Sequence, residues 1–333
     1  MLEKKISQLH EWTWHFLQKR KDARLLNELR LAAGISGSIN IALLPNEGWK
    51  LEKLMSAPGI SFSSTPDGIL CSLSGKSILL TDWNDIFIAV DSFVDFDYAA
   101  SIPGNEDIAV FDIGANIGWH STVMTMGISN AGQRYAFEPA SDNFAILQKN
   151  MEIMRTVTGH NISEHRCAVG EMSGLGKLYL APENMGDHKI FPDAQERGVV
   201  EIALKSLDDI FYDLPTWPTL VKLDTQGGEA AVIRGAARLF GSGWRPTLIF
   251  EFWPFGLRNA GEDAYDLWSF FSKLDYVMFE ILPHAGCLRK TTDDYVQRRL
   301  DAPEMRDGEH FMDIVAIPSG SERIATIEHL IEA

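Results

Sequence analysis

Four acidic residues each follow or end an apolar run that is typical of a buried strand. Asp112 lies in VFDIG, Glu138 in YAFEP, Asp224 in TLVKLD and Glu251 in TLIFEF. A carboxylate at the end of a strand can accept hydroxyl groups, attract a cation or take a proton during catalysis. The four positions therefore predict a polar site built where several strands end.

The stretch VFDIGANIGWH leads from a strand through a glycine turn into a helix. A dinucleotide-binding turn has the spacing G-x-G-x-x-G, in which the middle glycine lets the backbone approach a pyrophosphate. Here Gly114 and Gly118 bracket Ala115 and Asn116, and the spacing lacks that middle glycine. Asp112, just before the turn, would repel a pyrophosphate and attract an ammonium or sulfonium group. The turn therefore favours a positively charged nucleoside.

Glu138 lies twenty residues after Gly118, at the end of the next predicted strand. A carboxylate there can accept both ribose hydroxyls, and it would repel a 2′-phosphate. We interpret the pattern as an S-adenosylmethionine pocket, with an NAD site as the alternative. The predicted cofactor-binding residues are Asp112, Gly114, Ala115, Asn116, Gly118, Glu138, Pro139, Ala168, Val169 and Asp224.

Three side chains are candidates for the base that would take a proton from an acceptor hydroxyl. Asp224 and Glu251 end two apolar strands, and burial would raise their pKa values toward a useful range. Asp224 could instead bind the amino group of the cofactor. His120 begins the helix after the glycine turn and is the third candidate. The spacing of His, Cys and acidic residues matches no metal-binding motif, so we expect no metal, and a metal that bridges Asp224 and Glu251 stays open as the alternative.

From residue 108 onward, predicted strands alternate with predicted helices. This pattern predicts an α/β fold with a mostly parallel, Rossmann-like sheet and helices on both faces. No convincing helix separates the last two strands, so we expect an antiparallel end. The seven predicted strands are IAVFDI, RYAFEP, SEHRCAV, TLVKLD, TLIFEF, YVMFEI and HFMDIVAI.

Three regions are expected along the chain. Residues 1–57 show apolar residues near helical spacing and predict a helical arm, which could pack on its own domain or on a second copy in a homodimer. Residues 58–100 contain a PDG turn between strand-like runs and predict a small β-rich appendage. Residues 101–333 form the predicted Rossmann-like domain.

Composition excludes some function classes. The net charge of −16 argues against nucleic acid as the main partner, because phosphate contacts need clustered cations. Three widely spaced cysteines suit a reducing compartment. We expect neither a signal peptide nor a transmembrane segment, and we expect a cytoplasmic location.

The motifs VFDIGANIGWHS, YAFEPASDNFAILQKNM, VKLDTQGGEAAVIRGA and RPTLIFEF resemble, in order and spacing, those of FkbM-type S-adenosylmethionine-dependent methyltransferases. The resemblance covers roughly residues 86–255. It implies a class I methyltransferase fold and O-methylation of a carbohydrate or of a polyketide or peptide natural product. Where the family usually has a hydrophobic residue and Glu, this chain has Thr225 and Gln226, so no second acid is assigned at Gln226.

Features beyond Glu251 are expected to shape the acceptor site. Trp253 and Phe255 could stack on a sugar, and Arg258 could meet an acidic group. Loops 182–198 and 283–309 are candidates for a lid. Two other functions stay open: a non-catalytic S-adenosylmethionine-binding module and a nicotinamide-dependent oxidoreductase.

Overall fold

The computed structural model describes eleven stretches of the chain, and contacts divide the chain into two compact units, Met1–Asp97 and Tyr98–Ala333. The predicted helical arm, residues 1–57, lies outside the described residues, so the arm and a homodimer formed through it stay predictions. The described residues are 61–66, 68–73, 76–80, 102, 109–128, 132–181, 185–192, 196–212, 216–282, 285–306 and 310–332.

The described part of the first unit is a three-stranded antiparallel sheet. Its strands are β1 (Ser61–Thr65), β2 (Gly68–Leu73) and β3 (Lys76–Leu80), in the order β1-β2-β3. Thr65 pairs with Gly68 across the PDG turn, so this turn closes a tight hairpin. The strands lie within the predicted β-rich appendage, whose limits stay a prediction.

The second unit contains eleven strands among its described residues, divided between two sheets. They are β4 (Ala109–Ile113), β5 (Gln133–Phe137), β6 (Ile162–His165), β7 (Ala168–Val169), β8 (Gly174–Leu180), β9 (Gly198–Lys205), β10 (Leu220–Leu223), β11 (Thr247–Phe252), β12 (Tyr276–Leu282), β13 (Cys287–Lys290) and β14 (Met312–Pro318).

The larger sheet has the order β13-β12-β14-β11-β10-β4-β5-β6. Strands β6, β5, β4, β10 and β11 run parallel, and β14 runs antiparallel to both β11 and β12. The predicted parallel sheet and its antiparallel end are therefore confirmed. The chain leaves β4 toward β5 and β6 and later returns to β10 on the other side, so the topological switch point lies between β4 and β10. Ligands of open α/β sheets bind at such a point.

The expectation of seven strands is wrong by one, because the sheet has an eighth strand, β13. It pairs antiparallel with β12 at the edge and comes from the segment 283–309, which was expected to be a loop. The four-residue segment CLRK contains two charged residues and has no clear apolar periodicity, and its pairing with β12 decides its conformation.

Helices cover the sheet between the strands. They are α1 (Trp119–Gly127), α2 (Ser141–Thr158), α3 (Leu207–Phe211), α4 (Glu229–Arg234), α5 (Ala237–Gly241), α6 (Pro254–Asn259), α7 (Ala264–Lys273), α8 (Asp293–Asp301), α9 (Pro303–Arg306) and α10 (Arg323–Thr326). Side chains of Ser206, Asp263 and Thr292 cap the first turns of α3, α7 and α8.

Three local expectations were wrong. The stretch GEAAVIRGAARLF forms two helices, α4 and α5, which are separated at Gly235. The chain there packs against the carbonyl oxygen of Gly170, and a Cβ on Gly235 would lie 2.1 Å from that oxygen. The run SEHRCAV divides into β6 and β7, which belong to different sheets. Helices α8 and α9 precede the last strand, where no helix was expected.

The smaller sheet, β7-β9-β8, was not predicted as a separate element. Its inner face carries Leu178 and Ile202, which pack against Ala140 and Ala168. Ala140 precedes α2, so this sheet packs beside the carboxyl end of β5. No helix among the described residues is long and apolar enough to span a bilayer.

The glycine turn packs closely against the end of β10. Gly114 has φ +77, and a Cβ there would lie 1.7 Å from the carbonyl oxygen of Asp224. Gly118 has φ +92, and its Cβ would meet Leu147 and Met151 of α2. Both glycines are therefore required by the packing of the chain against itself.

We predict that Gly114→Ala lowers the free energy of unfolding by about 3 kcal/mol or more, because strain and backbone overlap add. Gly159→Ala is the matched control: Gly159 has φ +71, but nothing lies within 4 Å of its Cβ position. The control substitution should lower the free energy of unfolding by about 1–2 kcal/mol. Urea unfolding measures both, and equal losses would contradict the close approach.

Candidate active site at the switch point

The amide groups of the glycine turn are used within the protein. The N–H groups of Gly114 and Ala115 donate to the carbonyl of Phe137 at 3.0 and 2.9 Å, and that of Gly118 donates to Ala115 at 2.8 Å. The N–H of Asn116 donates to Glu138 Oε2 at 2.9 Å. A phosphate-binding turn needs free amides that point at the ligand. These four amides are committed elsewhere, which is consistent with the expected preference against a pyrophosphate.

Glu138 is fixed at the end of β5 by two backbone groups. Its Oε2 accepts the amide of Asn116, and its Oε1 accepts the amide of Ala140 at 2.8 Å. The residue is 5% exposed. Burial raises the pKa of Glu138 to about 7, although the two amide hydrogen bonds lower it. Each carboxylate oxygen keeps a second lone pair for a ligand hydroxyl.

Asp112 is buried near the end of β4. Its Oδ2 accepts the hydroxyl of Ser121 at 2.5 Å, whereas its Oδ1 is buried and has no hydrogen-bond partner. Burial raises the pKa of this carboxyl group, and the nearby ammonium of Lys222 opposes that shift. A buried carboxylate oxygen that lacks a hydrogen-bond donor among the described residues is unusual.

Lys222 is the central cation of the site, and the sequence prediction missed it. It lies opposite Asp112 in the β4–β10 pairing, and its Nζ is 2.9 Å from Asp224 Oδ2. Lys222 is 3% exposed. Burial alone would lower the pKa of Lys222, but the charges of Asp224 and Asp112 outweigh burial and raise it. A lysine inside the apolar run TLVKLD was the available signal, because an unpaired buried ammonium is not tolerated.

Asp224 and Glu251 come together beside Lys222, as expected. Asp224 Oδ1 accepts the amide of Gln226 at 2.8 Å, and the same amide nitrogen lies 3.4 Å from Glu251 Oε2. Both acids remain partly exposed, unlike Lys222 and Asp112. The two carboxyl groups are therefore the members of the cluster that a ligand can reach.

The two acids have opposite electrostatic environments. Burial pushes the pKa of Asp224 up, but the ammonium of Lys222 and hydrogen bonds from Lys222 and Gln226 hold it below its usual value. Burial raises the pKa of Glu251 well above its usual value, and the charges of Asp224, Glu229 and Asp313 add to the rise. Asp313 is the cross-strand partner of Glu251 on β14. At neutral pH, Asp224 is ionised and Glu251 retains a proton more readily.

His120 faces the same cluster from α1. Burial lowers the pKa of His120 to about 3, and the charge of Lys222 lowers it further than the charge of Asp224 raises it. The imidazole is therefore neutral over the physiological range. It is a weak base, because proton-transfer efficiency falls as the pKa of a base falls far below the working pH.

The other predicted site residues have different surroundings. Ala168 belongs to the apolar cluster of the smaller sheet, and Val169 belongs to the main core, so neither side chain is directed to the acid cluster. Their role in cofactor binding stays a prediction. Pro139 lines a cleft of about 470 Å³ together with Asp142, Arg166, His188 and Ile202.

A strap, residues 185–189, lies beside the cleft near the carboxyl end of β5. At one end, Asn143 Nδ2 of α2, the helix that follows β5, donates to the carbonyl of Met185 at 2.9 Å. At the other end, the side chain of Lys189 reaches Trp253, which follows β11, and its Nζ lies 4.9 Å from the ring centre. The strap thus contacts elements that follow β5 and β11.

Further contacts hold the strap in place. Lys189 exchanges two backbone hydrogen bonds with Tyr179 of β8, at 2.8 and 3.1 Å. Asp187 pairs with Lys189 at 3.1 Å and with Arg197 at 2.6 Å. The described part of loop 182–198 is thus anchored on both sides of the switch point, and its function as a lid stays a prediction. Loop 283–309 contains β13, α8 and α9.

Trp253 is largely used in packing. Its ring fills the space beside Gly256, where a Cβ would lie 2.1 Å from a ring atom, and Lys189 lies over the ring. The expected stacking of Trp253 on a sugar is therefore restricted. Phe255 is partly exposed, and Arg258 is exposed. No cluster of three or more His, Cys, Asp or Glu residues among the described residues could hold a metal ion.

The strand order, with an antiparallel strand inserted near one edge, and the glycine turn at the switch point define a class I methyltransferase fold. The Methyltransferase FkbM domain family matches residues 112–278, which is just over half of the chain. The chain belongs to this family and has a methyltransferase domain.

One curated relative is also named as a methyltransferase. A protein called Methyltransferase 1 from Beauveria bassiana (strain ARSEF 2860) is 27% identical over 172 residues, which cover 45% of this chain and 66% of that protein. The chain thus spans slightly less than two thirds of this curated relative.

Solved structures show lower similarity. Methyltransferase FkbM from Methylobacillus flagellatus KT matches with 16% identity and a TM-score of 0.39, over 70% of this chain and 54% of that chain. An O-methyltransferase from Bacillus cereus in complex with SAH matches with 11% identity and a TM-score of 0.35, over 68% and 79%. Neither similarity carries an argument about the acceptor.

We predict that Lys222→Met destabilises the fold by about 3–5 kcal/mol, because it leaves Asp112 and Asp224 without their buried counter-charge. Adding Asp112→Asn should restore part of the loss. Lys177→Met, on an exposed position of β8, is the matched control and should change stability by less than about 0.5 kcal/mol. Chemical unfolding measures all three, and a small loss in Lys222→Met would contradict the central role of the ammonium.

Proposed function

We propose that this protein is an S-adenosylmethionine-dependent O-methyltransferase that acts on a hydroxyl group of a small molecule. The observation that carries the proposal is the arrangement at the switch point. A carboxylate suited to ribose, Glu138, lies on one side of a turn in which four backbone amides are bonded within the protein, and two reachable acids, Asp224 and Glu251, lie on the other.

The residues present fit S-adenosylmethionine better than a dinucleotide. Glu138 would bind the two ribose hydroxyls, because both of its oxygens are already oriented by backbone amides. The cleft beside Pro139 would receive the adenine ring. The unpartnered Oδ1 of Asp112 would attract the cationic end of the molecule. When bound, this cofactor supplies a methyl group on a positively charged sulfur.

Glu251 is the base that we propose for the acceptor hydroxyl. Both oxygens of Asp224 already accept donors, from Lys222 and Gln226, and its pKa is lowered. His120 has a pKa of about 3. Glu251 is partly exposed, and its pKa is raised well above its usual value, which makes its carboxylate a stronger base than that of Asp224. Asp224 then stabilises positive charge near the reacting atoms.

A bound donor would supply its methyl group to the acceptor oxygen, and the electron pair of the broken carbon–sulfur bond would stay on sulfur. The hydroxyl proton passes to the carboxylate of Glu251. The products are a methyl ether and S-adenosylhomocysteine. Correct placement of the hydroxyl can contribute about 7–11 kcal/mol to lowering the barrier.

Carbohydrates are the first acceptor class that we propose, and polyketide or peptide natural products are the second. Phe255 offers a partly exposed aromatic side chain, and Arg258 offers an exposed cation at the same rim.

Calorimetry with S-adenosylmethionine, S-adenosylhomocysteine and NADH tests the cofactor class. We expect the protein to bind S-adenosylmethionine and S-adenosylhomocysteine but not NADH. Binding of NADH alone would support a nicotinamide-dependent oxidoreductase. Incubation with methyl-labelled cofactor and a fractionated cell extract then tests turnover. Label in small hydroxyl compounds supports the proposal, whereas cofactor binding without transfer to any fraction would support a non-catalytic module.

Glu138→Ala is expected to weaken S-adenosylhomocysteine binding by more than about tenfold, because the hydroxyl acceptors are lost. In the wild type, affinity should fall as the pH drops through about 7, since protonation of Glu138 removes the ionised acceptor. Glu152→Ala, on the exposed side of α2, serves as control and should bind normally. Unchanged affinity in Glu138→Ala would end the ribose assignment.

Glu251→Gln is expected to lower the rate of methyl transfer by about 10²-fold or more, whereas His120→Gln should retain most activity. The wild-type rate should rise with pH on its acidic limb, because only ionised Glu251 can take the proton, and its midpoint should lie well above that of an ordinary glutamate. Initial rates with labelled cofactor measure both effects. An active Glu251→Gln protein beside an inactive His120→Gln protein would identify the imidazole as the base.

A further inference from the structure

Gln226 has a backbone conformation that is rare for its residue type. Its φ is +54, and only three described residues other than glycine have a positive φ: Asn116, Gln226 and Asp275. A left-handed conformation costs a residue with a Cβ about 1–2 kcal/mol, so the surrounding structure must hold it. The conformation itself therefore needs an explanation in packing or in function.

Glu229 closes the turn that contains Gln226. The Glu229 Oε1 atom accepts the amide of Thr225 at 2.8 Å, the hydroxyl of Thr225 at 2.9 Å and the amide of Gly227 at 3.3 Å. Glu229 is fully buried. From the first turn of α4, Glu229 thus makes three contacts across the preceding turn.

A second contact prevents the turn from relaxing. Gly227 has φ +100, and a Cβ there would lie 2.7 Å from the backbone of Gly256 in α6. Gly256 in turn packs against the ring of Trp253. The turn is therefore held from within by Glu229 and from outside by α6, and both fix the direction of the Gln226 side chain.

The side chain of Gln226 lies between the two reachable acids. Its Nε2 donates to Asp224 Oδ1 at 2.8 Å and lies 3.4 Å from Glu251 Oε2. The other oxygen of Asp224 accepts Lys222. The result is a continuous polar row, Lys222–Asp224–Gln226–Glu251, in which one amide group contacts both carboxyl groups. A glutamate in place of Gln226 would add a third acid and remove the shared donor.

We propose that Gln226 is a positioning residue, whose amide joins Asp224 to Glu251 and holds Glu251 ready to accept the proton of the acceptor hydroxyl. The inference rests on the proposed function, since it takes Glu251 as the base and places the methyl donor beside this row. It adds the residue that couples the two acids.

The charged groups around Glu251 influence its protonation, and the amide of Gln226 acts together with them. Asp224 ends β10, Glu229 lies in α4 and Asp313 lies opposite on β14, and all three favour the protonated form of Glu251. Lys222 favours the ionised form. Donation by Gln226 Nε2 also stabilises the ionised carboxylate. A bound sulfonium would act in the same direction, so cofactor binding should release the proton of Glu251.

Calorimetry in buffers of different ionisation enthalpy tests the coupling without a known acceptor. The probes are S-adenosylmethionine, which carries the positive sulfur, and S-adenosylhomocysteine, which does not. The wild type should release more protons with the first than with the second, and Glu251→Gln should abolish the difference. In Gln226→Leu, the pH midpoint of that release should rise by about half a unit or more, because a donor to Glu251 is lost.

Three further variants separate positioning from a structural role. Gln226→Asn keeps an amide and suits the left-handed backbone, but its shorter side chain cannot contact both acids, so its midpoint should also rise. Gln226→Glu should raise the pH midpoint of proton release most, and this variant tests the inference even if Gln226→Leu fails to fold. Gln133→Leu removes a half-buried glutamine from β5 at the other end of the sheet and should leave the midpoint unchanged.

If folded Gln226→Asn and Gln226→Glu proteins had the same pH midpoint of proton release as the wild type, the inference would be overturned and the proposed function would stand. Equal proton release with the two cofactors in the wild type would also overturn it. A wild type that binds neither cofactor would instead refute the proposed function, and this inference with it.

Discussion

The ion pair between Lys222 and Asp224 is the interaction on which the rest of the site depends. A buried ammonium beside the switch point must be neutralised, and Asp112 and Asp224 supply the two nearest negative charges. Burial is the largest influence on the pKa values of the neighbouring groups, and Lys222 modifies it. The ammonium lowers the pKa of His120 further and holds that of Asp224 below its usual value, but it only opposes the rise that burial causes at Glu251.

Close approach of two backbone segments shapes the glycine turn. The turn contacts the carbonyl of Asp224 so closely that Gly114 cannot carry a side chain. The same turn directs the amides of Gly114, Ala115, Asn116 and Gly118 to Phe137, Glu138 and Ala115. Packing of the turn therefore commits these four amides to acceptors within the protein, and two of the neighbouring backbone amides orient the carboxylate of Glu138.

Much of this site could be predicted from local patterns. Asp112, Glu138, Asp224 and Glu251 each end an apolar run, and parallel strands bring such ends to one edge. Lys222 was missed because its apolar neighbours indicate only a buried strand, although its closest partner, Asp224, is two residues away; its cross-strand neighbour Asp112 lies 110 residues away in the chain. Loop 182–198 was named as a lid candidate, but the contacts of its residues 185–189 with Asn143 and Trp253 join distant segments and could not be predicted.

The amino-acid sequence by itself determined the α/β class, the antiparallel end and the residue types at the strand ends, because these follow from local periodicity and from residues next to turns. Tertiary structure alone decided the eighth strand, the division of a predicted helix at Gly235 and the left-handed backbone of Gln226. It also decided which acid keeps its proton. Those outcomes depend on charges and packing partners from distant parts of the chain, which a local pattern does not contain.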